Sequence, residues 1–157
     1  LDVIEEKLSG KSFYQDIHFG RITDYICLEI PAEHITEICK TLKDECGFNL
    51  LVDIVGIDRF SNNDRFELIY NLRASNKKER IFLRVKLNSK RPEIESVSRF
   101  WSTANWEERE AYDMFGINFL NHPDLRRIYM RDDYDYYPLR KDYPLMGLPG
   151  AVELPKK

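Results

Sequence analysis

A chain of 157 residues is long enough to bury one hydrophobic core without disulfides or metals. Hydrophobic residues at 43% and charged residues at 32% exclude a disordered or fibrous chain and describe one folded body with a charged surface. A net charge of -3 offers no general attraction to nucleic acid or anionic lipid, and the apolar runs at 50–52 and 54–55 are far shorter than the roughly 20 residues of a membrane span.

The first residue is Leu1, which leaves open an initiator segment or a processed leader upstream, so targeting is not read from this end. A short helix is expected over 2–8 and a strand over 24–30. Ile35, Ile38, Cys39, Leu42 and Cys46 recur at steps of three and four, which makes one apolar helical stripe, with Pro31 in its first turn and Gly47 at its end. Cys27, Cys39 and Cys46 are odd in number and lack CxxC spacing. They read as small hydrophobes in a reducing compartment rather than as a disulfide or metal framework.

Val and Ile dominate 50–57, a strand, and 61–64 supplies the following turn. Over 66–73, Phe66, Leu68, Tyr70 and Leu72 share one face. Over 80–87, Ile81, Leu83, Val85 and Leu87 do the same. The short polar stretch 74–79 between them predicts an antiparallel hairpin, with 50–57 pairing beside it. Pro92 opens a short helix through Phe100, because Ile94, Val97 and Trp101 keep helical spacing. Asn105 then caps a second helix in a capping box with Glu108, and Gly116 stops it. The expected architecture is α+β: two layers, a mostly antiparallel sheet with helices on one face, in a core domain at 1–117.

From 118 the character changes. Five of the seven prolines and five of the nine tyrosines lie beyond that point, without sustained period, so 118–157 reads as an extended tail. Its aromatic content is too high for a solvated linker, and the tail is expected to lie over a surface that buries its rings.

Glu107, Glu108, Arg109, Glu110 and Asp113 crowd the second helix, where Arg109 and Asp113 can pair four residues apart and the acidic first turn suits the helix dipole. That pairing outweighs acid–base catalysis, since no facing partner is visible. His122, in Asn121-His122-Pro123-Asp124, reads as a hydrogen-bonded turn residue, and His18 and His34 stand apart, so no zinc set forms. Arg126, Arg127, Arg131, Arg140 and Lys141 alternate with tyrosines, but Asp132, Asp133, Asp135 and Asp142 in the same stretch would repel phosphates. Gly147 and Gly150 lack the strand-to-helix setting of a phosphate loop. Mixed charge among aromatic rings suits a protein interface instead.

The string Glu108-Arg109-Glu110-Ala111-Tyr112-Asp113-Met114-Phe115-Gly116, followed by His122-Pro123-Asp124-Leu125-Arg126-Arg127-Ile128 and by Pro138-Leu139-Arg140-Lys141-Asp142-Tyr143-Pro144, resembles the signature of the respiratory complex I 30 kDa subunit family, whose bacterial members are the C subunits of NADH-quinone oxidoreductase. The resemblance runs from about Leu50 through Met146, including the hairpin and Trp106. It departs at Asn121, where the family usually has Gly, and at Tyr137, where His is common. It implies a cofactor-free, non-catalytic subunit in the peripheral arm of a proton-translocating NADH:quinone oxidoreductase. FMN and iron–sulfur clusters are then expected in partner subunits, and the tail is expected to wrap over the quinone-reducing 49 kDa (D) subunit beside the iron–sulfur subunits. The interface residues it implies are Glu108, Arg109, Glu110, Asp113, His122, Arg126, Arg127, Arg140, Lys141 and Asp142. It implies a peripheral place on the cytoplasmic side of a bacterial inner membrane, or on the matrix or stromal side in an organelle. The equivalent subunit of a membrane-bound hydrogenase, or of a ferredoxin- or F420-dependent relative, is the alternative.

Overall fold

Period-two alternation builds the centre of the molecule, a computed structural model that describes residues 2–61, 63–144 and 146. Strands β1 (His18–Ile22), β2 (Tyr25–Ile30), β3 (Leu50–Asp58), β4 (Phe66–Ala74) and β5 (Glu79–Leu87) form one sheet in the order β1-β2-β5-β4-β3. Only the β2–β5 pairing is parallel; β1–β2, β3–β4 and β4–β5 are antiparallel, as the hairpin signal requires. Opposed pairs such as Leu68↔Val85, Tyr70↔Leu83 and Leu72↔Ile81 put the apolar set of each strand on one face, where all six side chains are buried.

Strand β3 reaches that face only through a bulge. Leu51 lies opposite Leu72 and Asp53 opposite Asn71, so Val52 is the extra residue, and Leu51 and Ile54, three apart, both point inward. The opposite face is charged and laced by ion pairs, with Lys86 to Glu29 at 2.6 Å and Arg59 to Glu67 at 2.9 Å.

Helices α1 (Asp2–Ser9), α2 (Ile35–Asp44) and α3 (Ala104–Phe115) cover the apolar face. The stripe Ile35, Ile38, Cys39 and Leu42 is buried as its spacing foretold, although Pro31 precedes a separate 3-10 turn over Ala32–His34. Gly56 faces α3 because a Cβ there would lie 2.6 Å from the Phe115 ring. A hydrogen there lets the helix descend onto β3.

Three sequence expectations fail here for physical reasons. Residues 92–100 are no helix: β6 (Glu93–Glu95) pairs parallel with β7 (Asn118–Leu120), and only one turn follows at 97–101. Ile94 meets Phe119 in that ribbon, a partner too distant in sequence for a local pattern to show. Regular structure therefore continues past residue 117, with Phe119 in the core. The capping box is also absent, since Thr103 is the cap residue and makes no side-chain cap bond. Glu108 instead turns inward, where the Ser96 hydroxyl donates to it at 2.6 Å and the Val97 amide at 2.7 Å. Gly116 does stop α3, in the left-handed region at φ 74°.

Candidate docking surface

Helix α3 ends beside β3, so its last two turns and the rim of the sheet face one flank. The chain after β7 returns across that flank and is held there by two buried carboxylates.

The first is Asp113, which has no exposed side-chain surface. Its Oδ2 accepts the successive amides of Ile128, Tyr129 and Met130 at 3.0, 2.6 and 3.0 Å, and its Oδ1 accepts the Arg127 guanidinium at 2.8 Å. Consecutive N–H groups converging on one oxygen form an anion-binding nest. Burial alone would raise the Asp113 pKa, but the three amides and Arg127 outweigh it and hold the carboxyl below its ordinary value. The expected Arg109–Asp113 pair is thus replaced. Arg109 donates instead to the Arg126 carbonyl at 3.2 Å, and its guanidinium lies 4.7 Å from the centre of the Trp106 ring. Both helix residues serve the tail rather than each other, because the amides of 128–130 need an acceptor once they leave water.

The second carboxylate, Asp58 at the end of β3, carries no local sequence signal. It accepts two bonds from Arg65, at 2.8 and 3.0 Å, and the amides of Phe60 and Lys141, each at 2.8 Å. Burial pushes its pKa up, yet Arg65 and the two amides bring it down to about 2. Arg65 also reaches Asp142 at 3.0 Å, so the Lys141 amide and the Asp142 carboxylate are fixed together. Asp58 and Lys141 stand 83 residues apart, and no local spacing could have joined them.

Between these clamps Arg140 closes the end of α3. Its Nε donates to the Phe115 carbonyl at 2.6 Å, the Leu139 amide donates to the Met114 carbonyl at 3.1 Å, and the guanidinium stacks on Tyr137 at 4.4 Å. Burial and the nearby Arg65 lower the pKa of Arg140. Tyr137 and Arg140 lie against Gly116, where a Cβ would fall 2.7 and 2.5 Å from them, so this glycine answers both a backbone and a packing need. Tyr137, one departure from the resembled signature, also stacks on Arg127 at 5.1 Å. Asn121, the other, has φ 59°, a conformation that Gly or Asn takes with least strain, and its amide bonds Glu95 at 2.9 Å.

Glu108 and His122 belong to the interior behind this surface. Asp124 donates its amide to His122 Nδ1 at 3.0 Å, which makes Nδ1 the acceptor and leaves Nε2–H for the Asn105 carbonyl at 3.1 Å. Burial lowers the His122 pKa, in keeping with that neutral tautomer, and raises the Glu108 carboxyl to about 7. Glu110 and Arg126 are exposed, and Arg126 bonds Asp124 at 3.0 Å.

The clamps fix the backbone and leave rings outside. Tyr129 is 65% exposed, Tyr136 49% and Leu139 54%, while Tyr134 and Tyr143 join hydroxyls at 2.6 Å. The tail's own body therefore does not bury these side chains. Among the described residues no three His, Cys, Asp or Glu side chains converge as a metal site, and no helix is long and apolar enough to cross a membrane.

Residues 28–148 match the family model described as the respiratory-chain NADH dehydrogenase, 30 Kd subunit. The C subunit of NADH-quinone oxidoreductase from Geotalea uraniireducens is 47% identical over 118 residues, 75% of this chain and 72% of that protein. Its counterpart from Geobacter metallireducens is 44% identical over 148 residues, 94% of this chain and 88% of that protein. The chain spans only 64% of the C 2 subunit of the Rhizobium etli oxidoreductase, at 46% identity over 120 residues. Among solved structures, the trypsin-resistant fragment (1-134) of Nqo5 superposes with a TM-score of 0.67 at 32% identity, covering 79% of this chain and 97% of the fragment. A chain of the archaeal membrane-bound sulfane sulfur reductase shares the fold, with a TM-score of 0.78 at 19% identity over 92% of this chain and 85% of its own. The residues that hold the tail, Arg109, Asp113, Arg127 and Arg140, lie inside the matched span, and the chain belongs to the respiratory-chain NADH dehydrogenase 30 Kd subunit family.

Proposed function

We propose that the chain is a scaffold subunit in the peripheral arm of an NADH:quinone oxidoreductase and that it works by docking its tail-covered flank onto neighbouring subunits. The observation that carries this is the division of labour in the tail. Asp58 and Asp113 accept four of its backbone amides, those of Ile128, Tyr129, Met130 and Lys141, whereas the side chains of Tyr129, Tyr136 and Leu139 stay largely exposed. Exposed aromatic and aliphatic side chains on a preordered backbone suit a protein interface, since little conformational entropy is left to lose on binding.

In this reading the tail lies against the quinone-reducing 49 kDa subunit and its iron–sulfur neighbours, which carry the clusters, while flavin sits in another subunit. The chain itself binds no cofactor and rests on the cytoplasmic, matrix or stromal side of the membrane. Its contribution to turnover is to hold redox centres at transfer distance. The bacterial NADH-quinone oxidoreductase relatives favour this over a hydrogenase or F420-linked complex.

Combining Tyr129→Ala, Tyr136→Ala and Leu139→Ala tests the reading, because these side chains are exposed and their removal leaves both clamps intact. The variant is expected to fold like the wild type and to be absent from the complex purified from its host. Wild-type stoichiometry in that complex would move the interface elsewhere. Stoichiometric flavin or iron in the isolated chain would refute the scaffold role.

A further inference from the structure

Phe60, two residues beyond β3, combines a left-handed backbone with an exposed aromatic ring. It sits at φ 53°, a region L side chains rarely adopt, and it is 60% exposed. Thr23 and Lys78 share that conformation but carry polar side chains in hairpin turns. An aromatic ring held in water on a left-handed residue is unfavourable twice over.

The surroundings hold it there. Asp58 Oδ1 accepts the Phe60 amide at 2.8 Å, and the Arg65 guanidinium lies 5.2 Å from the ring centre. The same Asp58 accepts the Lys141 amide, and the same Arg65 reaches Asp142. One carboxylate and one guanidinium thus tie Phe60, through its amide and its ring, to the tail at Lys141 and Asp142.

We propose that Phe60 is a second anchor of the docking surface, its ring inserting into an apolar pocket of the neighbouring subunit that receives the tail. This rests on the scaffold reading above and adds an element outside the tail to the interface. Burial by the partner offsets the exposure of the ring, and strained backbone is tolerated where it presents such a group. The partner chemistry is a protein pocket rather than an anionic ligand, because the guanidinium beside the ring is already neutralised by Asp58 and Asp142.

The test is competition inside the assembled complex. Wild-type and variant chains carrying different tags are co-expressed in the host, and their ratio in the purified oxidoreductase is measured. Phe60→Gly removes the ring and relieves the backbone; Phe60→Asn removes the ring while tolerating the same φ. The expected result is at least tenfold lower incorporation of both variants, with no fall in the thermal midpoint of the isolated chain. Equal incorporation overturns the proposal, as does a loss that tracks a lowered midpoint, since that marks a packing role. Tyr129→Ala with Leu139→Ala reports the tail in the same assay. If that chain incorporates normally while the Phe60 variants do not, the tail reading fails and the Phe60 anchor stands. If the wild-type chain itself is not recovered in the complex, both fall.

Discussion

Asp113 shows how much one side chain can hold. Three amides and a guanidinium converge on a carboxylate without exposed surface. Asp113→Ala strands all four donors and is expected to cost about 3–5 kcal/mol, the range for breaking a buried charge pair. Urea unfolding of the isolated chain measures this, and amide exchange should show Ile128, Tyr129 and Met130 losing protection together. Asp58 and Glu108 bias stability in opposite directions with pH. The folded pKa of Asp58, about 2, lies below its ordinary 3.8, so its stabilisation is complete above pH 4 and lost as pH falls towards 2. Asp58→Asn should therefore flatten acid unfolding in that window, at a cost of about 2 kcal/mol near neutrality. Glu108 rises from 4.5 to about 7, so the native state keeps a proton that the unfolded chain releases. Its stabilising share is complete below pH 4.5 and fades as pH climbs through 7. Glu108→Gln is expected to abolish that decline, leaving the variant about 2 kcal/mol more stable than the wild type at pH 8. Urea midpoints at pH 5 and pH 8 decide it.

At the scale of elements, legibility followed the range of the forces involved. The hairpin of β4 and β5 and the stripe of α2 were readable because period and burial are local properties of their own residues. Strand β1 was not, since it is an edge strand without a fully buried residue. Strand β6 imitated a helix because Ile94, Val97 and Trp101 are all buried, but they are contributed by a strand and a turn rather than one helical face. The candidate site divides in the same way. Arg127 and Arg140 stood out by charge among tyrosines, whereas Asp58 and Arg65 did not, because their meaning comes from contacts 83 and 77 residues away. Gly116 was legible as a helix stop but not as the floor under Tyr137 and Arg140. Gly116→Ala therefore does more than strain one residue. It is expected to cost at least about 2 kcal/mol, above the 1 kcal/mol or so of the backbone penalty, and to expose the segment at 127–141 to limited proteolysis.

For the whole molecule, the expectation that the tail lies over a surface that buries its rings divides between backbone and side chains. Among the described residues, the chain's own Asp58 and Asp113 hold the tail backbone at 128–130 and 141, while Tyr129, Tyr136 and Leu139 stay exposed. Assembly then resembles the meeting of preformed surfaces more than coupled folding, and a modest heat-capacity change on association is the calorimetric sign. A large negative change, of the size produced by folding a disordered segment, would contradict that picture.

The long reach of the two clamps also bears on biosynthesis. Asp113 is synthesised before all four of its donors at 127–130, and Asp58, already paired with Arg65, before the Lys141 amide, so the nascent body carries one unpaired anion on the flank where the tail will land. A message truncated before codon 127 would yield a body in which Asp113 has lost all four of its donors while Asp58 keeps Arg65 and the Phe60 amide and lacks only Lys141.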